Sequence, residues 1–501
     1  MAQTVKLQPQ LQILRTVNER LMSYNVEMTE VTGGTFWKAY TPGQIAGTEK
    51  FPAIKDMSEM AGLMQWYDPI DTTNPRLIKL AKDLGPAWMR VSGTWATKTY
   101  YDFEGTGVTP EGYQNRMTRD QWINIIRFAD AIGAKILISV ANCEGLHHAD
   151  EPWNPSQAEK IFALSTELGH PIDAVEFTNE PNMMEITGFP AGYQPAHFRR
   201  DQDLFHKWVR DHYPNCLIVG PCTTDSEAIK MGPDEAKGGA GIADAVGACA
   251  TTDELMDGCT EKLDVFSYHY YNGISERLES VMPDAHWQAD QTLTEGYLAM
   301  AGRCARVFAP FRDKYCPGGE MWVTESGDAG GGGNTWGSTY MDVFRTLNEL
   351  GEFASVTDGV IFHNTLASSD YGFLKHGTFV PRPNYFAVLL WQRLMGTTVY
   401  ETNEPIREGA HVFAHSRKDG KDGIAYLIIN NSQTDATTVE LPKDAEVYVL
   451  SGEQGLRSTI MSLNGQELVL GENDELPALT GKTVAAGTLE LAPATCTFII
   501  L

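Results

Sequence analysis

The sequence predicts an α/β protein, a (β/α)8 TIM barrel followed by a small β-sandwich that amino-terminal strands complete. Three observations predict it. Strand-like and helix-like runs alternate eight times between residues 21 and 400, the count of a closed parallel barrel. Several of the strand runs are continuous and apolar, as strands covered on both faces are. After residue 400 the texture changes to short apolar runs broken by Gly, Asn and Asp, which is how sandwich strands and their turns read.

Residues 1–20 carry one or two extended pieces (Val5, Leu7, Leu11, Ile13, Leu14) that join the sandwich. The barrel, 21–400, opens with a strand over 21–28 and a long loop rich in Gly and aromatics. A helix over 74–84 starts on Asn74-Pro75, a cap followed by Pro at the first helical position, and closes at Gly85. A strand over 88–91 leads to a helix that opens at Thr118 and stops at Gly133. The β-branched run 135–140 is the third strand, and Asn154-Pro155 caps a helix ending at Gly169.

The fourth strand runs into Glu180 and is followed by a helix over 195–212. A strand over 217–220, a Gly/Ala-rich segment over 237–250 and a helical stretch come next. The remaining units are strand 263–271 with helix 293–315, strand 321–325 with helix 339–350, and strand 359–363 with helix 384–395. Runs at 411–414, 424–429, 446–450 and 497–501 make the sandwich, 401–501. A doubly wound sheet competes, but no Gly-rich phosphate loop follows the first strand.

Composition narrows the partners. A net charge of −26 argues against nucleic acid or an anionic membrane surface, yet leaves room for one locally positive site that binds an anionic sugar. There is no apolar run of about 18 residues to span a bilayer. The first residues lack the apolar stretch of a signal peptide, so the chain as written reads as cytoplasmic, or as secreted or periplasmic after loss of a leader. Eight cysteines form no CxxC and no zinc pattern; Cys249/Cys259 and Cys304/Cys316 are local bridge candidates beside a reading of scattered thiols. No cofactor motif appears, no metal set is assigned, and the oligomeric state is not legible.

The chemistry centres on two glutamates. Val175-Glu176-Phe177-Thr178-Asn179-Glu180-Pro181-Asn182 and Met321-Trp322-Val323-Thr324-Glu325-Ser326-Gly327 each pass from apolar strand residues to a polar end and a breaker. Counting puts Glu180 after the fourth strand and Glu325 after the seventh, at the mouth where barrel enzymes keep their chemistry. Two carboxylates across one mouth are the acid and nucleophile of a retaining glycosidase. Asn179 is placed to bond a sugar 2-hydroxyl, and Tyr271 to donate to the Glu325 carboxylate. His269 and His363, at strand ends, could touch sugar or support the glutamates, and Trp37, Trp95 and Tyr100 could stack on it. His147-His148-Ala149-Asp150-Glu151 reads as a loop rather than a metal cluster, and Arg199-Arg200 as a solvated face.

These residues resemble the heparanase/β-glucuronidase family, glycoside hydrolase family 79, within the large clan of retaining barrel glycosidases. Beyond Asn179-Glu180-Pro181-Asn182, the resemblance rests on several ordered stretches. They are Arg90-Val91-Ser92-Gly93-Thr94, Tyr268-His269-Tyr270-Tyr271-Asn272-Gly273, Glu325-Ser326 with Gly330 to Gly333, and Pro383-Asn384-Tyr385-Phe386 leading to Leu394-Met395-Gly396. The resemblance implies Glu180 as acid/base and Glu325 as nucleophile. It also implies a β-linked glucuronic acid whose carboxylate is held by the amides of Gly331 and Gly332 and the Tyr371 hydroxyl, with Glu27 on the sugar hydroxyls. A glycine loop that exposes N–H groups makes an anion nest without adding a cation beside the nucleophile.

The expected activity is therefore an exo-β-D-glucuronidase acting on a glucuronic-acid-containing glycan or glucuronide. The chain lacks the dense Lys/Arg clusters and excised linker of heparanase, which sets endo-cleavage of heparan- or hyaluronan-type chains second. A clan member for neutral sugars, such as a β-xylosidase, and a non-catalytic glycan-binding protein are the other rivals.

Overall fold

A computed structural model describes residues 3–224 and 249–501. The Gly/Ala-rich segment expected over 237–250 lies, but for its last two residues, outside the described residues. Eight parallel strands close into a barrel: β1 (Met22–Glu27), β2 (Trp88–Ser92), β3 (Lys135–Ser139), β4 (Ala174–Glu176), β5 (Leu217–Thr224), β6 (Val265–Tyr271), β7 (Glu320–Gly327) and β8 (Ile361–His363), with β8 pairing back to β1.

Side-chain alternation sorts each strand into two environments. Met89, Val91, Ile136, Ile138 and Val175 face the surrounding helices within the main core. Trp88, Leu137, Ala174, Val219, Val265, Trp322 and Phe362 form a separate apolar plug inside the barrel. One step toward the carboxyl ends the same inward register carries Arg90, Ser139, Glu176 and Ser267, all buried. The barrel is thus apolar at its base and charged above, and that order positions the mouth.

Local chemistry explains the helix limits. Asn74 accepts from Arg76 N at 2.9 Å and caps Pro75–Asp83. Thr118 and Gln121 form a capping box for Arg119–Ile132, which ends on Gly133 at φ +70°. Some expectations shift. Asn154-Pro155 opens a turn, with Ser156 N on Asn154 Oδ1 at 3.2 Å, and the helix begins at Ala158. The span expected as one helix over 293–315 is two, Glu295–Leu298 and Met300–Tyr315. The long loop after β1 contains a helix, Met28–Thr32, and a hairpin of Gly34–Trp37 with Met64–Tyr67. Cys259 and Cys316 are free thiols, so neither local bridge forms.

The carboxy-terminal region is a two-sheet sandwich. Its small sheet joins Gln3–Lys6, Thr437–Leu441 and Gly487–Leu491. The larger sheet runs from Ile13–Thr16 through Met395–Tyr400, His411–Arg417 and Ile424–Asn430 to Thr495–Ile500 and Ala445–Ser451. Met395–Tyr400, on the barrel side of the boundary expected at residue 400, is hydrogen-bonded into this sheet.

Val5, Val412, Tyr426, Ile428, Val439 and Ile499 pack between the sheets. The other face of the larger sheet, with Phe413, Leu427 and Phe498, joins the barrel's main core. Both faces are covered, so Ile424–Asn430 is buried throughout and its sequence shows no polar alternation. Among the described residues no helix is long and apolar enough to cross a membrane.

Candidate active site

The mouth is built around a buried arginine that sequence reasoning noted only as part of a motif. Arg90, inward on β2, donates from Nε to Glu176 Oε2 at 2.8 Å, from Nη1 to Glu325 Oε1 at 2.9 Å and from Nη2 to Asn179 Oδ1 at 2.8 Å. Its Nη2 also lies 3.3 Å from Cys222 Sγ and 3.4 Å from His269 Nε2. Burial disfavours the guanidinium charge, but Glu176 and Glu325 hold its pKa well above the ordinary value. The missed signal was compositional: Arg90 and Glu176 are charges inside otherwise apolar strands, where an unpaired charge would be costly.

Glu325 owes its direction to an irregularity. Strict alternation along β7 would send it outward with Val323. The pairing with β6 shifts by one residue, with Tyr268 opposite Val323 but His269 opposite Glu325, and this bulge turns the carboxylate into the mouth. Tyr271 Oη donates to Glu325 Oε2 at 2.6 Å, and Asn364 Nδ2 holds that hydroxyl at 2.9 Å. Burial pushes the Glu325 pKa up; the His269 and Arg90 charges and the Tyr271 hydrogen bond outweigh it, so the carboxyl sits below its usual value and is ionised.

Glu180 is not at a strand end. β4 stops at Glu176, and Glu180 follows four residues later in a left-handed conformation, φ +47°. Its Oε1 lies 2.9 Å from His269 Nδ1, and the same nitrogen is 3.5 Å from Glu325 Oε2. Nδ1 therefore carries a proton between the two carboxyl groups. Burial opposes the imidazolium, whereas Cys222 and the carboxylates raise its pKa well above the ordinary value. The Cys222 thiol is itself pushed up by burial and stays protonated, so the direction stands on the two glutamates.

One oxygen each of Glu180 and Glu325 and the His269 nitrogen lie within 4.8 Å of one another. A metal ion could span that distance, but the donors do not suit one. The nitrogen on offer is the protonated one, and Arg90 already supplies positive charge to Glu325. Asn179, its Oδ1 taken by Arg90, keeps its amide N–H groups for a ligand.

A second group lies in the loop that follows β7. Gly331, Gly332 and Gly333 are consecutive left-handed residues at φ +90°, +90° and +79°. Their shape is required: a Cβ on Gly332 would lie 2.6 Å from Trp37 Cγ. The Gly330 carbonyl accepts from Ser275 N at 2.8 Å and the Gly331 carbonyl from Arg277 Nη1 at 3.3 Å. In a planar trans peptide the N–H points opposite to the C=O. The amides of Gly331 and Gly332 thus turn away from Ser275 and Arg277, and they donate to nothing among the described residues.

Tyr371 stacks beside Tyr271 with ring centroids 6.5 Å apart, and its hydroxyl takes the second Asn364 contact at 3.2 Å. Glu27, at the end of β1, is buried. Burial first and the Glu325 charge second raise its carboxyl well above the usual carboxylate range, so it presents an acid O–H. Gly93 makes room for it, since a Cβ there would fall 1.8 Å from Glu27 Oε2.

The other expected residues sort as follows. His363 bonds the Tyr371 carbonyl at 2.6 Å and stacks on Phe373, so it supports Tyr371 rather than either glutamate. His147 bonds Asn142 Oδ1 at 2.6 Å within its loop, while His148 is exposed. Trp37 flanks Gly332. Trp95 lies under the Lys98 ammonium at 4.3 Å, and Tyr100 packs on Tyr113 and Lys160. Arg200 pairs with Asp201 at 2.7 Å, away from this cluster.

The fold is a closed (β/α)8 barrel carrying a two-sheet sandwich, with two glutamates facing each other at its carboxyl mouth, an arrangement suited to glycoside hydrolysis. Over most of its length the chain is similar to heparanase-like protein 1 of Arabidopsis thaliana, 24% identical over an aligned length of 487, with 86% of this chain and 85% of that protein covered. It is 28% identical over 257 residues to baicalin-β-D-glucuronidase of Scutellaria baicalensis, 48% of this chain and 46% of that one. A 4-O-α-L-rhamnosyl-β-D-glucuronidase from Fusarium oxysporum shares the fold with a TM-score of 0.64 at 10% identity, covering 99% of this chain and all of that one. No protein-family model matches. The resemblance to the heparanase/β-glucuronidase family read from the sequence motifs is thus shown by relatives as well.

Proposed function

We propose that the protein is a retaining exo-β-D-glucuronidase that removes terminal β-linked glucuronic acid from glycans or conjugates. The observation that carries this reading is the pair of unpartnered amides, Gly331 and Gly332, in the loop that follows Glu325 and β7, together with a glutamate pair that has one oxygen of each within 4.8 Å of the other. Oxygens that close support direct attack by a carboxylate, for which the two groups stand about 5–5.5 Å apart, over an inverting arrangement, which needs about 6.5–9.5 Å for an intervening water.

In this reading Glu325, ionised and held by Arg90 and Tyr271, attacks the anomeric carbon. Glu180 gives its proton to the glycosidic oxygen as the aglycone leaves. A glycosyl ester on Glu325 forms, and Glu180 then takes a proton from the water that hydrolyses it. His269, hydrogen-bonded to Glu180 and close to Glu325, offsets the change of charge as the proton moves. The Asn179 amide is placed for the sugar 2-hydroxyl. The Gly331 and Gly332 amides and the Tyr371 hydroxyl take the uronate, and the Glu27 acid O–H is left for a ring hydroxyl.

Comparing aryl β-glucuronide with aryl β-xyloside and β-glucoside tests the sugar, and a preference for a neutral sugar overturns the uronate assignment. Endo-cleavage by the same residues is the second reading, favoured by the similarity to a heparanase-like protein over 86% of the chain. Sizing the products from heparan and hyaluronan decides it: monosaccharide for exo, oligosaccharides for endo.

A further inference from the structure

We infer that Arg277 is a specificity-determining positioning residue: without touching the sugar, it sets the polarity of the loop that would receive a uronate. The inference rests on the glucuronidase reading and adds to it the origin of the preference for an acidic sugar.

Arg277 follows β6 in a short turn, Glu276–Leu278, and its side chain is wholly buried. One terminal nitrogen, Nη1, faces the carbonyls of Gly331, Gly332 and Gly333 at 3.3, 3.1 and 2.9 Å. Nη2 donates to the Lys38 carbonyl at 2.5 Å and to Asp370 Oδ2 at 2.9 Å. The guanidinium lies 3.8 Å over the Tyr40 ring. Tyr40 Oη and Ser275 Oγ add bonds to the Gly333 carbonyl at 2.9 and 2.7 Å.

Three successive carbonyls drawn to one cation is an unusual demand on a backbone, and three left-handed glycines meet it. Glycine peptides can turn either way, so the loop sequence alone does not choose which end of each dipole faces the mouth. Arg277 makes that choice by taking the negative ends. Because C=O and N–H are opposed in each peptide, the Gly331–Gly332 unit then directs its N–H away from the guanidinium. With the cation removed, a carbonyl is free to turn toward the mouth, where it would repel a carboxylate and accept from a neutral hydroxymethyl group.

The test is the selectivity ratio, kcat/KM for an aryl β-glucuronide over that for the aryl β-glucoside, in the parent protein and in Arg277→Met. The expected result is a fall in glucuronide kcat/KM of at least about 100-fold, carried by KM. Glucoside turnover should change less than about threefold, and Arg277→Lys should fall in between. Equal losses on both substrates would mean a merely structural role and overturn the inference. An unchanged ratio overturns it too.

If Arg277→Met does not fold, Ser275→Ala and Tyr40→Phe each remove one donor to the Gly333 carbonyl. They should lower the ratio in the same direction by smaller factors, and an unchanged ratio in both counts against the role. A parent protein that prefers the glucoside defeats the glucuronidase reading itself. That outcome is separate from a glucuronide-preferring parent whose selectivity ignores Arg277.

Discussion

Arg90 Nη1 lies 2.9 Å from Glu325 Oε1, with both side chains buried in the mouth of the barrel. The same guanidinium pairs with Glu176 on β4, so one cation serves a structural carboxylate and the proposed nucleophile. This contact ties the stability of the barrel interior to the charge state of its mouth.

Replacing Arg90 by Met should therefore do two things. Glu176 is left as a buried, unpaired charge, at a cost of about 3–5 kcal/mol in urea unfolding. Glu325 loses a neighbouring positive charge, so its pKa rises and the acidic limb of the kcat/KM profile moves to higher pH. Arg90→Lys keeps the charge and should move the limb less. A limb that stays in place in Arg90→Met would contradict the electrostatic role.

The two glutamates should separate kinetically. Glu180→Gln is expected to lose about 10²–10⁴-fold on substrates that need protonation of the leaving group. It should lose much less on an activated aryl glucuronide, where Glu325 still attacks unaided. Glu325→Gln should lose orders of magnitude on every substrate. Trapping a glycosyl-enzyme in Glu180→Gln by mass spectrometry checks the order of steps, and equal losses on both substrate types would contradict it.

Glu30 sets a pH dependence of stability. It is buried beside Glu27 with no ion-pair partner among the described residues, its Oε2 accepts from Glu27 N at 2.7 Å, and burial pushes its pKa up to about 8. In the unfolded chain a glutamate titrates near about 4.3, so between these values the folded state binds the extra proton. Stability from this group is full below the unfolded value and declines as pH rises to about 8. Glu30→Gln should flatten that decline, gaining on the parent between pH 5 and 9 in denaturant titrations. Glu325, its pKa depressed, works in the opposite sense, and its contribution is lost as pH falls below about 4.3.

The sandwich is tied to the barrel by close packing. The Phe413 ring lies against Gly351 of the helix Met341–Val356, so close that a Cβ on Gly351 would sit 2.4 Å from it. Phe413→Ala should cost about 3–5 kcal/mol by opening a cavity there. Because the contact is remote from the glutamates, kcat on folded protein should hold. A matching fall in kcat would mean that the sandwich shapes the mouth.

Much of the fold was legible because its signals are local. Asn74-Pro75 and Thr118 with Gln121 marked helix starts through backbone capping, and Gly133 marked a stop through its left-handed φ. Runs such as 135–140 reported burial on both faces, and eight such units leave few architectures open. The helix at Pro195–His212 follows its sequence signals to the residue.

The site was legible in part. Strand counting brought Glu180 and Glu325 to one mouth, but it could not say that β4 ends at Glu176 or that a bulge in β7 turns Glu325 inward. Those depend on pairing with a neighbour distant in sequence. The same holds for Arg90, whose partners come from β4, β5, β6 and β7 and the segment after β4.

By itself, then, the sequence determined the barrel, the sandwich and the two glutamates, because periodicity, caps and turn residues act over a few neighbours. Only the tertiary structure decided which charges pair, which way the Gly331 and Gly332 peptides face, and how far apart the carboxylates stand. Those quantities follow from Coulomb energy and close packing between strands that meet only when the barrel closes.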